Sequence, residues 1–215
     1  MFDNQAPITK NIILLNSVIF ALMYLPLPAA HQLLVSFPAY FPLSPYFRWW
    51  QVITHMFMHG SLMHILFNML TLLSFGPTIE RLFGGKRFTL LYFLSGLGAF
   101  LLFNLWNYYL YTQAAGTAEG DAILNTPMVG ASGAIFGVMT AFATLFPDTK
   151  LYFMFIPVPI SAKYILPVII VVSIYLGFSD QMSGIAHFAH VGGAIVGWIM
   201  ARSWKKKLPQ HNFYR

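Results

Sequence analysis

Long apolar runs separated by short polar or proline-rich breaks set the pattern of this chain, and they read as six helices. No charge falls between Lys10 and Arg48, and residues 12–35 are predicted to form a first apolar helix. It is expected to bend near Pro26 and Pro28, since proline removes a backbone donor and crowds the preceding turn. Over residues 37–50, Pro38, Pro42 and Pro45 interrupt a run of Phe, Tyr and Trp. Such a stretch cannot continue a helix, and its aromatics suit the headgroup level, so it is read as an interfacial loop anchored by Arg48. The later helices are predicted at residues 54–78, 88–111, 130–146, 163–178 and 185–204. Residues 151–160 are apolar but carry Pro157 and Pro159, and read as an interfacial return instead of a span. The Lys205 to Lys207 cluster stops the last helix.

Composition turns these helices into membrane spans. Of the 215 residues 58% are hydrophobic and only 8% charged, with a mean hydropathy of +0.66, whereas soluble domains carry about 25% charge. A hydrocarbon core ~30 Å thick needs ~20 apolar residues per helix, which leaves room for the six spans and their connections. The expectation is an all-α membrane bundle forming one domain over residues 1–215, with an interfacial loop between the first two helices. The first apolar run is too long for a signal-peptide core and has no basic cluster before it, so it reads as a retained span.

The net charge of +6 follows this topology. An even number of spans puts both termini on one face, which collects Lys10, Arg81, Lys86, Arg87, Lys150, Lys163, Arg202, Lys205 to Lys207 and Arg215. The other face keeps only Arg48, so the first is cytoplasmic. No basic stripe interleaved with aromatics exists, which argues against nucleic acid as a partner. Without cysteine there is no disulfide, thiolate metal site or cysteine nucleophile.

The candidate chemistry lies where hydrocarbon would otherwise be. Gly130-Ala-Ser132-Gly133 heads the fourth helix, with Gly137 one turn on, and Ser132 is the candidate nucleophile. Serine needs a base to take its proton, and imidazole is the usual one. On the sixth helix His190, Gly193 and Gly197 follow at helical spacing. That face and the Gly133, Gly137 face can approach closely, because small residues let membrane helices pack near one another. His190 is therefore the predicted base. His187, one turn nearer the surface on the same side, and His59 are candidate hydrogen-bond partners of the site. Acyl transfer also needs donors for an oxyanion. The Ser132 amide at a helix start is one, and His64 and Asn68, at i and i+4 on the second helix, are two more. With no acid in the outer halves of these helices, the expected machinery is a Ser–His dyad, without metal or cofactor.

Three stretches together carry a family resemblance: His59-Gly-Ser-Leu-Met-His64-Ile-Leu-Phe-Asn68, Gly130-Ala-Ser132-Gly133, and Ala189-His190-Val-Gly-Gly193-Ala-Ile-Val-Gly197. The chain resembles the rhomboid intramembrane serine proteases, of the minimal six-helix bacterial type. The resemblance implies Ser132 and His190 as dyad, His64 and Asn68 at the oxyanion, and a structural role for Glu80, which precedes Arg81-Leu-Phe-Gly. Where the family often has Trp-Arg before the second helix, this chain has Trp50 and Gln51. It further implies the bacterial cell membrane, with both termini cytoplasmic, as location and single-pass membrane proteins as substrates. Those substrates would be cut where the helix unwinds, since a hydrogen-bonded helix shields its carbonyls. Water would reach the dyad beneath Asp180 to Gly184, read as a lid, and the fifth helix, with Pro167, would move to admit substrate.

Two other readings stand beside this one. A metal-dependent membrane protein would use His55 and His59 at i, i+4 with His64, yet Met56 follows His55 and the helix has no carboxylate before Glu80, so the zincin pattern is missing. A non-catalytic rhomboid-like protein that binds membrane clients would need no dyad, and this chain keeps both members.

Overall fold

The breaks in the apolar pattern become helix ends with identifiable causes. The computed structural model describes residues 6–26, 28–153, 156–179 and 185–206. In chain order these give α1 Pro7–Tyr24, α2 Pro28–Leu34, α3 Gln51–Thr54, a 3₁₀ turn His55–Phe57, α4 Leu62–Phe83, α5 Gly85–Ala114, α6 Ala118–Leu124 and α7 Ser132–Leu145. A hairpin of β1 Lys150–Phe153 and β2 Ile156–Ser161 follows, then α8 Ala162–Ser179 and α9 Ile185–Lys205. Asp180 to Gly184, read above as a lid, lie outside the described residues.

The first predicted helix starts earlier, at Pro7, and divides: α1 ends at Tyr24 and α2 begins at Pro28. Proline at the first helical position suits α1, whose own N-cap, Ala6, offers no side-chain acceptor. The acceptor comes from a distant helix. Glu80 of α4 takes the Ile8 N–H at 2.8 Å, the Thr9 N–H at 2.7 Å and the Thr9 hydroxyl at 2.7 Å, so a buried carboxylate caps α1 and pins it to α4.

The second predicted helix is shorter at its start than the sequence suggested. Residues 54–61 belong to the end of α3, the 3₁₀ turn and a connection, and α4 starts only after Ser61, whose hydroxyl accepts from the His64 N–H at 3.1 Å. His55 and His59 therefore do not share a helical face with each other or with His64. The serine cap wins because Met58 is extended, with φ −99° and ψ 140°, and Gly60 sits in the break. Gly84, at φ 81°, makes the turn between α4 and α5 in a backbone region that other residues avoid.

Among the described residues α1, α4 and α5 are each long and apolar enough to cross a bilayer, and α7 and the first part of α8 are shorter apolar helices. With 14 residues, α7 is about 21 Å long, shorter than a ~30 Å hydrocarbon core. It is enclosed by α4, α5, α8 and α9, and nine of its residues, from Gly133 to Leu145, are buried. The tightest assembly is α5, α7 and α9; α1 leans on α4, and α8 leans mainly on α9. The outer faces are apolar: Leu66, Leu101, Leu105, Val168 and Ile199 are all exposed, as suits helices facing lipid. Residues 151–160 return as the antiparallel β1–β2 hairpin, with Lys150 opposite Ser161 and Leu151 opposite Ile160.

The interfacial loop is ordered from within by Gln51. The Gln51 side chain accepts from the Arg48 N–H at 2.9 Å and the Tyr40 N–H at 3.4 Å, and donates to the Ser36 and Tyr46 carbonyls at 3.1 and 3.0 Å. It is 1% exposed. A primary amide carries both donors and acceptors, so one neutral side chain satisfies four backbone groups of the loop. Arg48, read above as an anchor to headgroups, folds its guanidinium onto the Pro45 and Phe47 carbonyls at 2.9 and 2.7 Å. The loop is tied to the chain before α7 by a bridge between Ala39 and Met128, with N–H to O distances of 2.9 and 2.7 Å. Gln51→Leu leaves these groups without partners, and is expected to lower stability by roughly 2–4 kcal/mol. Thermal unfolding in detergent, with limited proteolysis showing new cleavage within residues 36–50, measures it.

Candidate active site

Ser132 is the first residue of α7, placed there by a loop that only glycine permits. Gly130 has φ 119°, and its N–H donates to the His55 carbonyl at 2.9 Å, so the 3₁₀ turn holds the strand leading into the helix. A methyl group on Gly130 would meet the His64 ring at 2.9 Å and the Ser132 hydroxyl at 3.7 Å. Imidazole and hydroxyl thus flank one point of the backbone, and the absent side chain is the space between them.

The candidate base arrives on α9. His190 Nε2 and Ser132 Oγ are 2.9 Å apart, a full hydrogen bond. What makes this reach possible is backbone packing. A methyl on Gly193 would strike the Gly133 carbonyl, and one on Gly197 would strike the Gly137 carbonyl. The two helices therefore meet at glycine on both sides, two turns in succession. A second seam joins α9 to α5, where a methyl on Gly192 would strike the Gly98 carbonyl. Close approach of this kind is how membrane helices gain van der Waals contact without bulky side chains.

Phe136 lies one turn after Ser132 on the same face, and its ring stacks on His190 with centroids 4.3 Å apart and planes 3° from parallel. The imidazole is thus held between a hydroxyl and an aromatic face. The sequence signal was available, an aromatic at i+4 from the nucleophile, and was passed over because one Phe among 21 does not stand out. Gly98 and Gly192 were missed likewise.

A cavity of about 380 Å³ opens at this pair, lined by His64, Asn68, Ser132 and His190 together with apolar Met139 and Ile169. Among the described residues none that lines it is a carboxylate. Asn68 spends one amide N–H on the His64 carbonyl of its own helix at 2.9 Å, which leaves its second amide hydrogen for another acceptor. His59 is buried and is not among the lining residues; its ring lies edge-on to His64 with centroids 5.0 Å apart. His55 is buried against Phe100. The His187 side chain lies outside the described residues. Glu80 is far from the cavity in role as well as lining, being the cap of α1. Among the described residues no three metal-ligating side chains converge.

Comparison with known proteins places this arrangement in context. The sequence model of the Rhomboid domain matches residues 46–206. The rhomboid protease GluP of Bacillus subtilis is 30% identical over 155 residues, which are 72% of this chain and 26% of that protein. RHOMBOID-like protein 4 of Arabidopsis thaliana is 31% identical over 154 residues, 70% of this chain and 33% of its own length. The rhomboid protease AarA of Providencia stuartii is 28% identical over 207 residues, covering 90% of this chain and 71% of the relative. The chain spans only about a quarter to a third of the first two relatives. With the domain match extending over well more than half of its length and apolar helices throughout, this chain belongs to the rhomboid family of helical integral membrane proteins.

Proposed function

We propose that the protein is an intramembrane serine endopeptidase that cuts membrane-spanning substrates with a Ser132–His190 dyad. The observation that carries this reading is the 2.9 Å contact between Ser132 Oγ and His190 Nε2 at the wall of an open cavity. His190 takes the hydroxyl proton as Oγ attacks the scissile carbonyl, then returns it to the leaving amine as the C–N bond breaks. Water, deprotonated by the same imidazole, releases the acyl group. The oxyanion is met by the Ser132 N–H, at a helix end where the dipole favours negative charge, and by His64 and Asn68 from α4. Phe136 fixes the plane of the imidazole through both transfers.

The position of the cavity's opening supports a membrane-spanning substrate. Met63, Phe67 and Thr71 of α4 form one side and Ile169 of α8 the other, with Met63 and Phe67 also exposed on the outer face. A single-pass helix entering between α4 and α8 would meet apolar side chains first and the dyad last. It must unwind locally, because a helical carbonyl is already hydrogen-bonded. Six spans, formed by α1, α4, α5, α7, α8 and α9 within one domain over residues 1–215, complete the proposal. The cations gathered at one end of these helices support an orientation with both termini cytoplasmic, in a bacterial cell membrane on this reading.

A fluorophosphonate or isocoumarin probe is expected to label Ser132 covalently. Labelling and cleavage should vanish in Ser132→Ala and fall about 10²–10⁴-fold in His190→Ala, the range for losing a general base. Labelling that persists in Ser132→Ala rejects the assignment, and absence of labelling in the folded wild type favours a client-binding protein without catalysis.

Phe136→Ala should lower kcat by roughly 3- to 10-fold, matching a stacking contribution of about 0.5–1.5 kcal/mol, with little change in KM. Phe136→Tyr should restore the rate; equal rates in all three proteins, measured in the same detergent, would show that the ring does not position the base.

A further inference from the structure

A second cavity, of about 480 Å³, lies on the other side of α8 from the dyad, between α7, α8 and α9. Its floor is made of small residues, Ala143 and Ala194, and its walls include Leu166 and Ile170. The catalytic proposal makes no use of it. We propose that this groove binds an anionic phospholipid, with acyl chain in the groove and phosphate among Lys163, Lys205 and Arg202 at its charged end.

The lining argues for hydrocarbon contact. Along α8 it runs from Lys163 to Val171, which is about 12 Å of helix at 1.5 Å per residue. Between those two residues Leu166, Pro167 and Ile170 line it, and Ala194 and Ile195 face them from α9, so an acyl chain meets apolar groups over that length.

The charge at one end argues for an anionic headgroup. Lys163 lines the groove, and one of its three ammonium protons is engaged by Asp148 at 2.7 Å. Lys205 donates to the carbonyl of Thr144 at 3.2 Å, and Thr144 is itself a lining residue. The Arg202 guanidinium lies 5.0 Å from the ring centre of Trp198, which also lines the groove. Three cations therefore frame the same end, each belonging to the lining or touching it. Against them stands Asp148, held below the usual carboxylate range chiefly by its hydrogen bond to Lys163. Lys163, Lys205 and Arg202 outnumber that one carboxylate, and Lys150 also acts on Asp148, so positive charge is in excess at the place where a chain lying in the groove would carry its phosphate. Anionic lipid is enriched beside such basic clusters by about fivefold per cation engaged.

Trp198 supplies a direct reporter. The protein is reconstituted in phosphatidylcholine containing a minor fraction of bromine-labelled phosphatidylglycerol, or the same fraction of bromine-labelled phosphatidylcholine, and the Trp198 component of the fluorescence is taken by difference from Trp198→Phe. The expected result is quenching several-fold stronger with the anionic lipid. That preference should disappear in Lys163→Gln/Lys205→Gln and survive in Lys163→Arg/Lys205→Arg, because the charge is kept. Equal quenching by the two lipids would overturn the proposal, since Trp198 would then sense only bulk bilayer; so would a preference that the double glutamine variant retains. The readout needs no proteolysis, and stands or falls separately from the dyad.

Discussion

The contact of α7 with α9 through bare backbone is the constraint on which the rest of the molecule depends. Gly193 against the Gly133 carbonyl and Gly197 against the Gly137 carbonyl leave no room for a methyl group. Serine is one of the shortest polar side chains, so the closer the two helices lie, the shorter the gap its hydroxyl and the facing ring have to bridge. Removing side chains from the seam is what lets Oγ and Nε2 come within 2.9 Å. Because glycine has no rotamers to immobilise, this seam also forms without the side-chain entropy that a Leu-packed one would lose.

A helix pair fixes distance but not the approach to it, and here the loops contribute. Gly130 is tethered to the 3₁₀ turn by the His55 carbonyl, and the bridge of Ala39 with Met128 ties the interfacial loop to the same connection. Gln51 in turn holds that loop by four backbone hydrogen bonds. One continuous set of backbone contacts therefore runs from residue 36 to the first turn of α7. A neutral amide serves this purpose well near hydrocarbon, because it satisfies donors and acceptors without placing a charge where desolvation is costly.

How much of this was legible in the sequence depended on what kind of signal each feature leaves. The order and type of the helices follow from apolar run length, which the bilayer imposes on sequence directly. The glycine spacing on α7 and α9 was readable for the same reason, as a periodic pattern along a helix. Contacts between distant residues leave no such trace. Glu80 could be singled out only by resemblance, and its three hydrogen bonds to Ile8 and Thr9 depend on how α1 meets α4. The start of α4 at Leu62 was misread because residues 54–58 are as apolar as a span, while the competing Ser61 cap is a single side chain. The stacking of Phe136 on His190 likewise joins two helices that no local pattern connects.

The same packing logic separates a part of the bundle that must stay closed from one that can open. In a bilayer, lipid tails replace apolar side chains at little cost, so a helix held by branched aliphatic contact alone is weakly committed to its neighbours. α8 is tied down at its start, where Lys163 pairs with Asp148 and Ile165 and Leu166 are buried, whereas further along Val168, Val171 and Val172 are exposed and Pro167 removes a hydrogen bond from the helix interior. Parting α7 from α9 would instead forfeit two successive backbone contacts for which lipid offers no substitute of equal fit. A cavity on each side of α8 is the geometric sign of this difference. Ile169 of α8 lines the cavity at Ser132, whereas the contact of Ser132 with His190 is made between α7 and α9 alone, so under the proposed function α8 could shift without altering the dyad distance.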